Sequence, residues 1–513
     1  MSAGNLAGVR REEAEAIYEA GRDAVVDALL GLSADFGELD VRIKEQSSEM
    51  ERLVREVKEL ERQVDELGLQ AGRDSRNSSQ PPSQDPPKSR AERRREAREK
   101  LKQMSKSTRE PGGQPGHEGK HRQMVPVEQV SEHTEHFPES CSCGHSFDGT
   151  EERVGDPVIH QQWELPPIRP LVFQYDLHRL CCPCCGKPRL AELPPGASWS
   201  AFAPRLEAHI AMLAGVFRLS RRQVRQVVEE IFGCPISLGA VNAAIMRTSA
   251  ILKDPWEALR DYIQKAELVH ADETSWRLAG AQQYLWLASS ALAACYRIDP
   301  HRSRAAAKEL LGESFGGFVV SDRYAGYHFL DVLQQQLCWC HLIRAFIELS
   351  ERARTPGKLG KKLLALSREV IKTHHRYLDD SHDLDWLREE LTPLRERIKE
   401  LLEQGARGRH EKTANFCQGL LDEYDALWTF CDVKDLDIPL TNNAAERALR
   451  HAVIMRRVQH GTQSEQGNRW VERIQSVRET LRLQDRPVLD YLIRAATAAR
   501  SGQPLPSILP AGP

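Results

Sequence analysis

The sequence predicts a multidomain α+β chain. Three observations carry this: a heptad repeat near the N-terminus, six cysteines between residues 141 and 185, and a strand, helix and strand alternation over residues 263–345. At 513 residues the chain is long enough for several domains and at least one large core. Hydrophobic residues make up 40% and charged residues 28%, the balance of an ordinary globular protein. The N-terminus, Met1-Ser-Ala-Gly-Asn-Leu6, has no signal-peptide pattern. The longest apolar run, residues 284–296, is broken by two serines and is too short to span a bilayer. These features argue against a membrane partner and predict a cytoplasmic protein.

Residues 1–70 read as a helical, coiled-coil oligomerisation region. Leu39, Ile43, Gln46, Met50, Leu53, Val57, Leu60, Val64 and Leu67 alternate spacings of four and three, the seam of a heptad repeat. The expected consequence is a homo-oligomer, with Gln46 as the one polar seam residue. Residues 71–124 form a basic Pro/Gly-rich linker arm: residues 88–123 carry 12 bases against 5 acids, although the whole chain has a net charge of -3. Separate basic blocks on a near-neutral chain suit nucleic-acid contact at chosen places.

Residues 125–195 form an expected zinc-binding module, zinc-ribbon-like. Cys141, Cys143, Cys182 and Cys185 are the candidate Zn2+ ligands, each pair followed by a glycine that lets backbone amides turn toward sulfur. Cys141 and Cys143 are separated by one residue instead of two, and Cys181, Cys184 and His145 are available substitutes. Clustered cysteines in a cytosolic chain favour metal over disulfides. Residues 196–260 read as a helical, helix-turn-helix-like DNA-binding domain. Pro204 opens one helix, Ser220 caps a second, Gly233 ends it, and Ser237 caps a third. Arg218, Arg221, Arg222 and Arg225 would meet phosphates, or the bundle merely connects its neighbours.

Residues 261–498 form the expected catalytic domain. Strands are predicted at 266–272, 283–289 and 293–298, a helix at 303–311, a strand at 317–322, and a short strand near 336–339 before a helix from His341. Three strands, a helix and a strand open a ribonuclease-H-like α/β fold. Residues 346–436 read as a long helical insertion, and residues 499–513 as a flexible tail.

The chemistry centres on Asp272, Asp322 and Glu446. Asp272 and Asp322 each follow an apolar run, and Glu446 sits on a late helix with Asn442 one turn before it and Arg450 one turn after. Isolated acids are usually capping or surface residues; two at strand ends with a third on a helix suit a pair of Mg2+ (or Mn2+) ions. Such ions prefer oxygen donors, and a pair can activate an attacking oxygen and stabilise a leaving one.

Six segments, in order, then resemble one family: Gly112-Gly-Gln-Pro-Gly-His-Glu-Gly119, the cysteine pairs, His270-Ala-Asp-Glu-Thr-Ser-Trp276, Ser321-Asp-Arg-Tyr-Ala-Gly-Tyr327, Cys340-His-Leu-Ile-Arg344 and Asn442-Asn-Ala-Ala-Glu-Arg-Ala-Leu-Arg450. Together they resemble the transposases of the insertion-sequence 66 family. The resemblance implies a DDE transposase with a ribonuclease-H-like catalytic domain and Asp272, Asp322 and Glu446 as its triad. It implies binding of element ends and target DNA, strand cleavage and strand transfer, and accessory transposition proteins as partners. His341, Arg344, Asn442, Asn443, Arg447 and Arg450 fall in the matching segments as DNA-binding or site-supporting residues. Two other functions remain on the sequence: a catalytically silent, domesticated DNA-binding protein, and another ribonuclease-H-like nuclease such as a resolvase. The long N-terminal coiled coil followed by a cysteine module disfavours the latter.

Overall fold

A computed structural model describes residues 11–71, 123–380 and 382–510. The basic stretch at 89–106, the glycine-rich segment at 112–119 and the last three residues of the tail lie outside the described residues. Helices α1 (Arg11–Glu19) and α2 (Arg22–Ala71) come first, separated at Gly21, whose φ of 104° suits only glycine. At 50 residues α2 is about 75 Å long. Its seam residues Leu39, Ile43, Met50, Leu53, Val57 and Leu60 are all exposed. Among the described residues, no helix is long and apolar enough to cross a membrane.

Residues 123–203 mostly lack regular secondary structure, apart from one two-stranded hairpin, β1 (Arg179–Cys181) on β2 (Pro188–Leu190), and a short 3-10 turn at Val127–Gln129. Four helices follow: α3 (Pro204–Gly215), α4 (Arg221–Glu230), α5 (Leu238–Ile251) and α6 (Lys253–Ile263). The expected signals do the work here. Pro204 sits in the first turn of α3, Ser220 and Gln223 form a reciprocal capping box on α4, and the Ser237 hydroxyl accepts from the Ala240 amide.

The five-stranded sheet has the order β5-β4-β3-β6-β7. Its strands are β3 (Leu268–Leu278), β4 (Ala281–Ser289), β5 (Ala294–Asp299), β6 (Phe318–Ser321) and β7 (Gln335–Leu337). The first three pair antiparallel; β6 joins β3 in parallel and β7 joins β6 in parallel. The β3–β4 turn is Ala279-Gly280, with φ of 48° and 87°, so both central residues are left-handed as a two-residue hairpin turn demands. Helix α7 (Arg304–Leu311) provides the crossover between β5 and β6.

After β7, α8 (Trp339–Ser350) leads into the insertion, whose further helices are α9 (Arg354–Asp379), α10 (Leu384–Ala406), α11 (Glu411–Asp422) and the short α12 (Thr429–Asp432). The chain closes with α13 (Asn443–Gln459), α14 (Glu465–Leu483) and α15 (Val488–Arg500). There are two hydrophobic cores. Residues of α3–α7, β3–β5 and α13–α15 share one, and β6, β7 and the insertion share the other. Val319 belongs to the first and its neighbour Val320 to the second, because successive strand residues face opposite sides.

The outer edge of the sheet is sealed by α14. The amides of Ala294, Tyr296 and Ile298 donate to Thr480 Oγ1 (3.0 Å), Ser476 Oγ (2.8 Å) and Glu472 Oε1 (2.7 Å). Polar residues four apart on a helix rise about 6 Å, close to the step between alternate strand residues, so one helix face satisfies a strand edge that would otherwise recruit another chain. That explains why α14 buries Glu472, Ser476 and Thr480.

Candidate active site

Asp272 does not end its strand as expected; it lies within β3, which continues to Leu278. The extra length comes from antiparallel pairing with β4, in which Asp272 opposes Leu287. Parallel pairing with β6 is confined to Leu268–His270 on β3, opposite Phe318, Val319 and Val320. Asp272 and Asp322 each lie two residues beyond the last matched pair, His270 and Val320, so continuing the register sets the two acids side by side. Neighbouring strands are about 4.8 Å apart.

Helix α13 brings the third acid. Its N-cap residue, Asn442, is fully buried and ties the helix to the sheet. Asn442 Nδ2 donates to the Ala271 carbonyl (2.8 Å), its Oδ1 lies 3.0 Å from His270 Nδ1, and its amide donates to Cys338 Sγ (3.1 Å). Through these hydrogen bonds Asn442 docks α13 beside Asp272. Glu446 follows one turn later, its amide bonded to the Asn442 carbonyl.

The three acids share one electrostatic field. The Asp272 carboxyl is pushed well above the usual carboxylate range, first by burial, then by the charges of Glu273, Asp322 and Glu446. Glu446 Oε1 is buried without a hydrogen bond, 3.7 Å from His341 Nε2 and 3.6 Å from Arg344 Nη2 at the start of α8. Burial works against a charged His341, but the Cys338 sulfur and the Asp322 charge outweigh it and its pKa is raised. Of the expected site residues, the fold gathers Asp272, Asp322, Glu446, His341, Arg344 and Asn442. Asn443, Arg447 and Arg450 are exposed on the outside of α13.

A second layer escaped the sequence reading. Glu273, next to Asp272, faces the other way and its side chain is 2% exposed. It accepts from Arg302 Nε (2.6 Å) and Tyr327 Oη (3.1 Å). Burial raises the Glu273 pKa, Asp322 adds to the rise, and Arg302 opposes it. Arg302 also lies 3.8 Å from Asp322 Oδ2 and 3.9 Å over the Tyr324 ring, while the Tyr324 amide donates to Asp322 Oδ1 (3.1 Å). Strand alternation could have flagged Glu273 as a buried acid in need of a cation; nothing local points to Arg302.

The cysteines form two tight turns. Cys141 closes on Gly144 (φ 93°) and Cys182 on Gly186 (φ 65°) through 2.9 Å amide–carbonyl bonds. The Cys141 thiol pKa is lowered first by the Cys143 amide, and that of Cys182 by the Cys185 amide. Among the described residues, no set of three or more His, Cys, Asp or Glu side chains stands in metal-holding geometry. The donor chemistry at the acids nevertheless fits a hard divalent cation: crowded carboxylates and one buried carboxylate oxygen without a hydrogen bond.

The fold and the site together define an α+β domain with acids clustered on a mixed five-stranded sheet. Residues 200–469, more than half of the chain, match the Transposase IS66 family, and the chain belongs to that family. Residues 35–123 match a family of unknown function, DUF6444. Uncharacterized protein y4hP of Sinorhizobium fredii (strain NBRC 101917 / NGR234) is 23% identical over 274 residues, covering 47% of this chain and 48% of that protein. The chain thus spans about half the length of the curated relative it matches.

Proposed function

We propose that this protein is a DDE transposase that binds the ends of its element, cleaves a strand there and joins it to target DNA. The observation that carries the reading is the shared β3–β6 register of Asp272 and Asp322, with Glu446 close enough to perturb Asp272. The strand order β5-β4-β3-β6-β7, three antiparallel strands followed by parallel ones, supports a ribonuclease-H-like catalytic domain.

Asp272, Asp322 and Glu446 would hold Mg2+ or Mn2+, which when bound supplies charge neutralisation for an attacking and a leaving oxygen. Water adds to the phosphorus at the element end, the P–O3′ bond breaks, and a 3′-hydroxyl is freed. That hydroxyl then attacks a target phosphodiester and displaces the target 3′-oxygen, so bonds made and broken balance. Arg344 keeps a cationic group beside Glu446 and His341 an imidazole whose pKa is raised, where phosphate charge would accumulate.

Zn2+ on Cys141, Cys143, Cys182 and Cys185 is part of the same proposal, supported by the two glycine-closed turns. So is a homodimer through α2. One seam position holds Ile43, Met50, Val57 and Val64, mostly β-branched, and the other holds Leu39, Gln46, Leu53, Leu60 and Leu67, leucine except at Gln46. That pattern favours two parallel strands, and the described part of the seam is exposed.

The test is Mg2+-dependent cleavage of labelled DNA carrying the repeats that flank the gene. Wild type should cleave, and D272N should bind the ends and not cleave. Equal cleavage by both proteins sinks the triad; binding without cleavage by both favours the silent DNA-binding protein.

A further inference from the structure

The helical insertion separates Asp322 from Glu446 in sequence, and its end reaches back to the loop that carries Asp322. Glu423, just past α11, has a carboxylate 15% exposed and uses both oxygens. Oε2 accepts from Arg323 Nε (2.8 Å), and Oε1 lies 2.6 Å from His328 Nε2. Arg323 directly follows Asp322, and His328 ends the short 3-10 turn Ala325–Tyr327. One carboxylate therefore grips both ends of the loop that begins at the second acid.

The surface around Glu423 is shaped for Arg323. Phe416, Gly419 and Glu423 follow one another at spacings of three and four, one face of α11 and its end. The Arg323 guanidinium lies 5.4 Å from the Phe416 ring centre. A Cβ at Gly419 would come within 2.8 Å of Arg323 Nη2, so a side chain there would displace the guanidinium from this position. On the sheet side, Arg302 and the Tyr324 amide hold the Asp322 carboxylate itself.

We propose that the insertion is a positioning element for the second carboxylate, with Glu423 as its positioning residue acting through Arg323 and His328. The role rests on the transposase reading, but the clamp can be tested separately from it. Partners that orient a metal-ligating carboxylate are commonly worth about 10- to 100-fold in affinity or activity.

The experiment uses the full-length protein and the variants E423A, E423Q and G419L. Hydrogen exchange over residues 322–328 should speed up in E423A and G419L, with residues 268–278 unchanged. Mn2+ binding, followed by electron paramagnetic resonance without DNA, should weaken about 10- to 100-fold in E423A and less in E423Q. Where the wild type cleaves, E423A should need more Mg2+ for half-maximal cleavage while binding ends normally. Unchanged exchange at 322–328, or unchanged Mn2+ affinity with faster exchange, overturns the proposal. Faster exchange and weaker Mn2+ binding in a protein whose wild type cleaves no flanking DNA would instead keep the clamp and remove the transposase activity.

Discussion

The carboxylate site and the cysteine module are built on opposite principles. Asp272, Asp322 and Glu446 are held by strand register, a buried N-cap and two hydrophobic cores that close around the sheet. No residue between 123 and 199 belongs to either core, and Val154, Val158, Leu165, Leu171, Val172 and Phe173 are exposed. The first region is fixed by burial before any ligand arrives. The second has tight turns, the β1–β2 hairpin and the paired Val125–Gln161 hydrogen bonds but no hydrophobic core, so its order should depend more on what its thiolates and apolar side chains bind.

The largest expected effect breaks the first region's chemistry without its fold. D322N should lower strand cleavage by more than about 100-fold, since even indirect partners of metal ligands are commonly worth 10- to 100-fold. Circular dichroism and the melting temperature should stay near wild type. A melting temperature that collapses along with activity would show that the acid holds structure instead.

For the cysteine module the expectation is reversed. The purified protein should carry about one zinc per chain, and the double substitution C182S/C185S should lose it. Because this segment adds nothing to either core, thermal unfolding of the C-terminal domain should be unchanged. A large fall in that transition would mean the module packs on the catalytic domain. Full zinc retention would remove Cys182 and Cys185 from the ligand set.

A smaller effect belongs to the layer behind the acids. R302Q removes the charged partner of Glu273, whose side chain is 2% exposed, while the guanidinium is itself 42% exposed. Half-exposed pairing is screened, so the cost should be about 1–3 kcal/mol by urea denaturation, below the range for a wholly buried pair. The double variant E273Q/R302Q should recover part of it.

How much was legible follows the same divide. The three helix starts at Pro204, Ser220 and Ser237 were readable because capping is local chemistry. The five strands of the mixed sheet were readable too, except that β3 runs past Asp272, since its far half is set by a hairpin partner and not by its own apolar run. The acids stood out through their short flanking segments. The partners did not: Arg302 reaches Glu273 across 29 positions, Arg323 reaches Glu423 across 100, and Asn442 reaches Ala271 across 171. Pairings so distant leave no periodicity, and only the fold brings them together.

The subtlest prediction asks whether burial of the acids costs stability. The folded Asp272 carboxyl titrates well above its ordinary value of about 4, chiefly from burial and then from Glu273, Asp322 and Glu446. Between the ordinary and raised values, the folded state keeps a proton that the unfolded state has released. Stability must therefore fall as pH rises through that window and return as pH drops toward about 4. Asparagine at 272 does not titrate. Without divalent cations, D272N should melt above the wild type near about pH 7, and the gap should narrow as the pH is lowered. Mg2+ should raise the wild-type melting temperature and affect D272N less, because a ligand stabilises the state that binds it. Identical melting of the two proteins at every pH would mean that burial and the neighbouring acids do not penalise a charged Asp272.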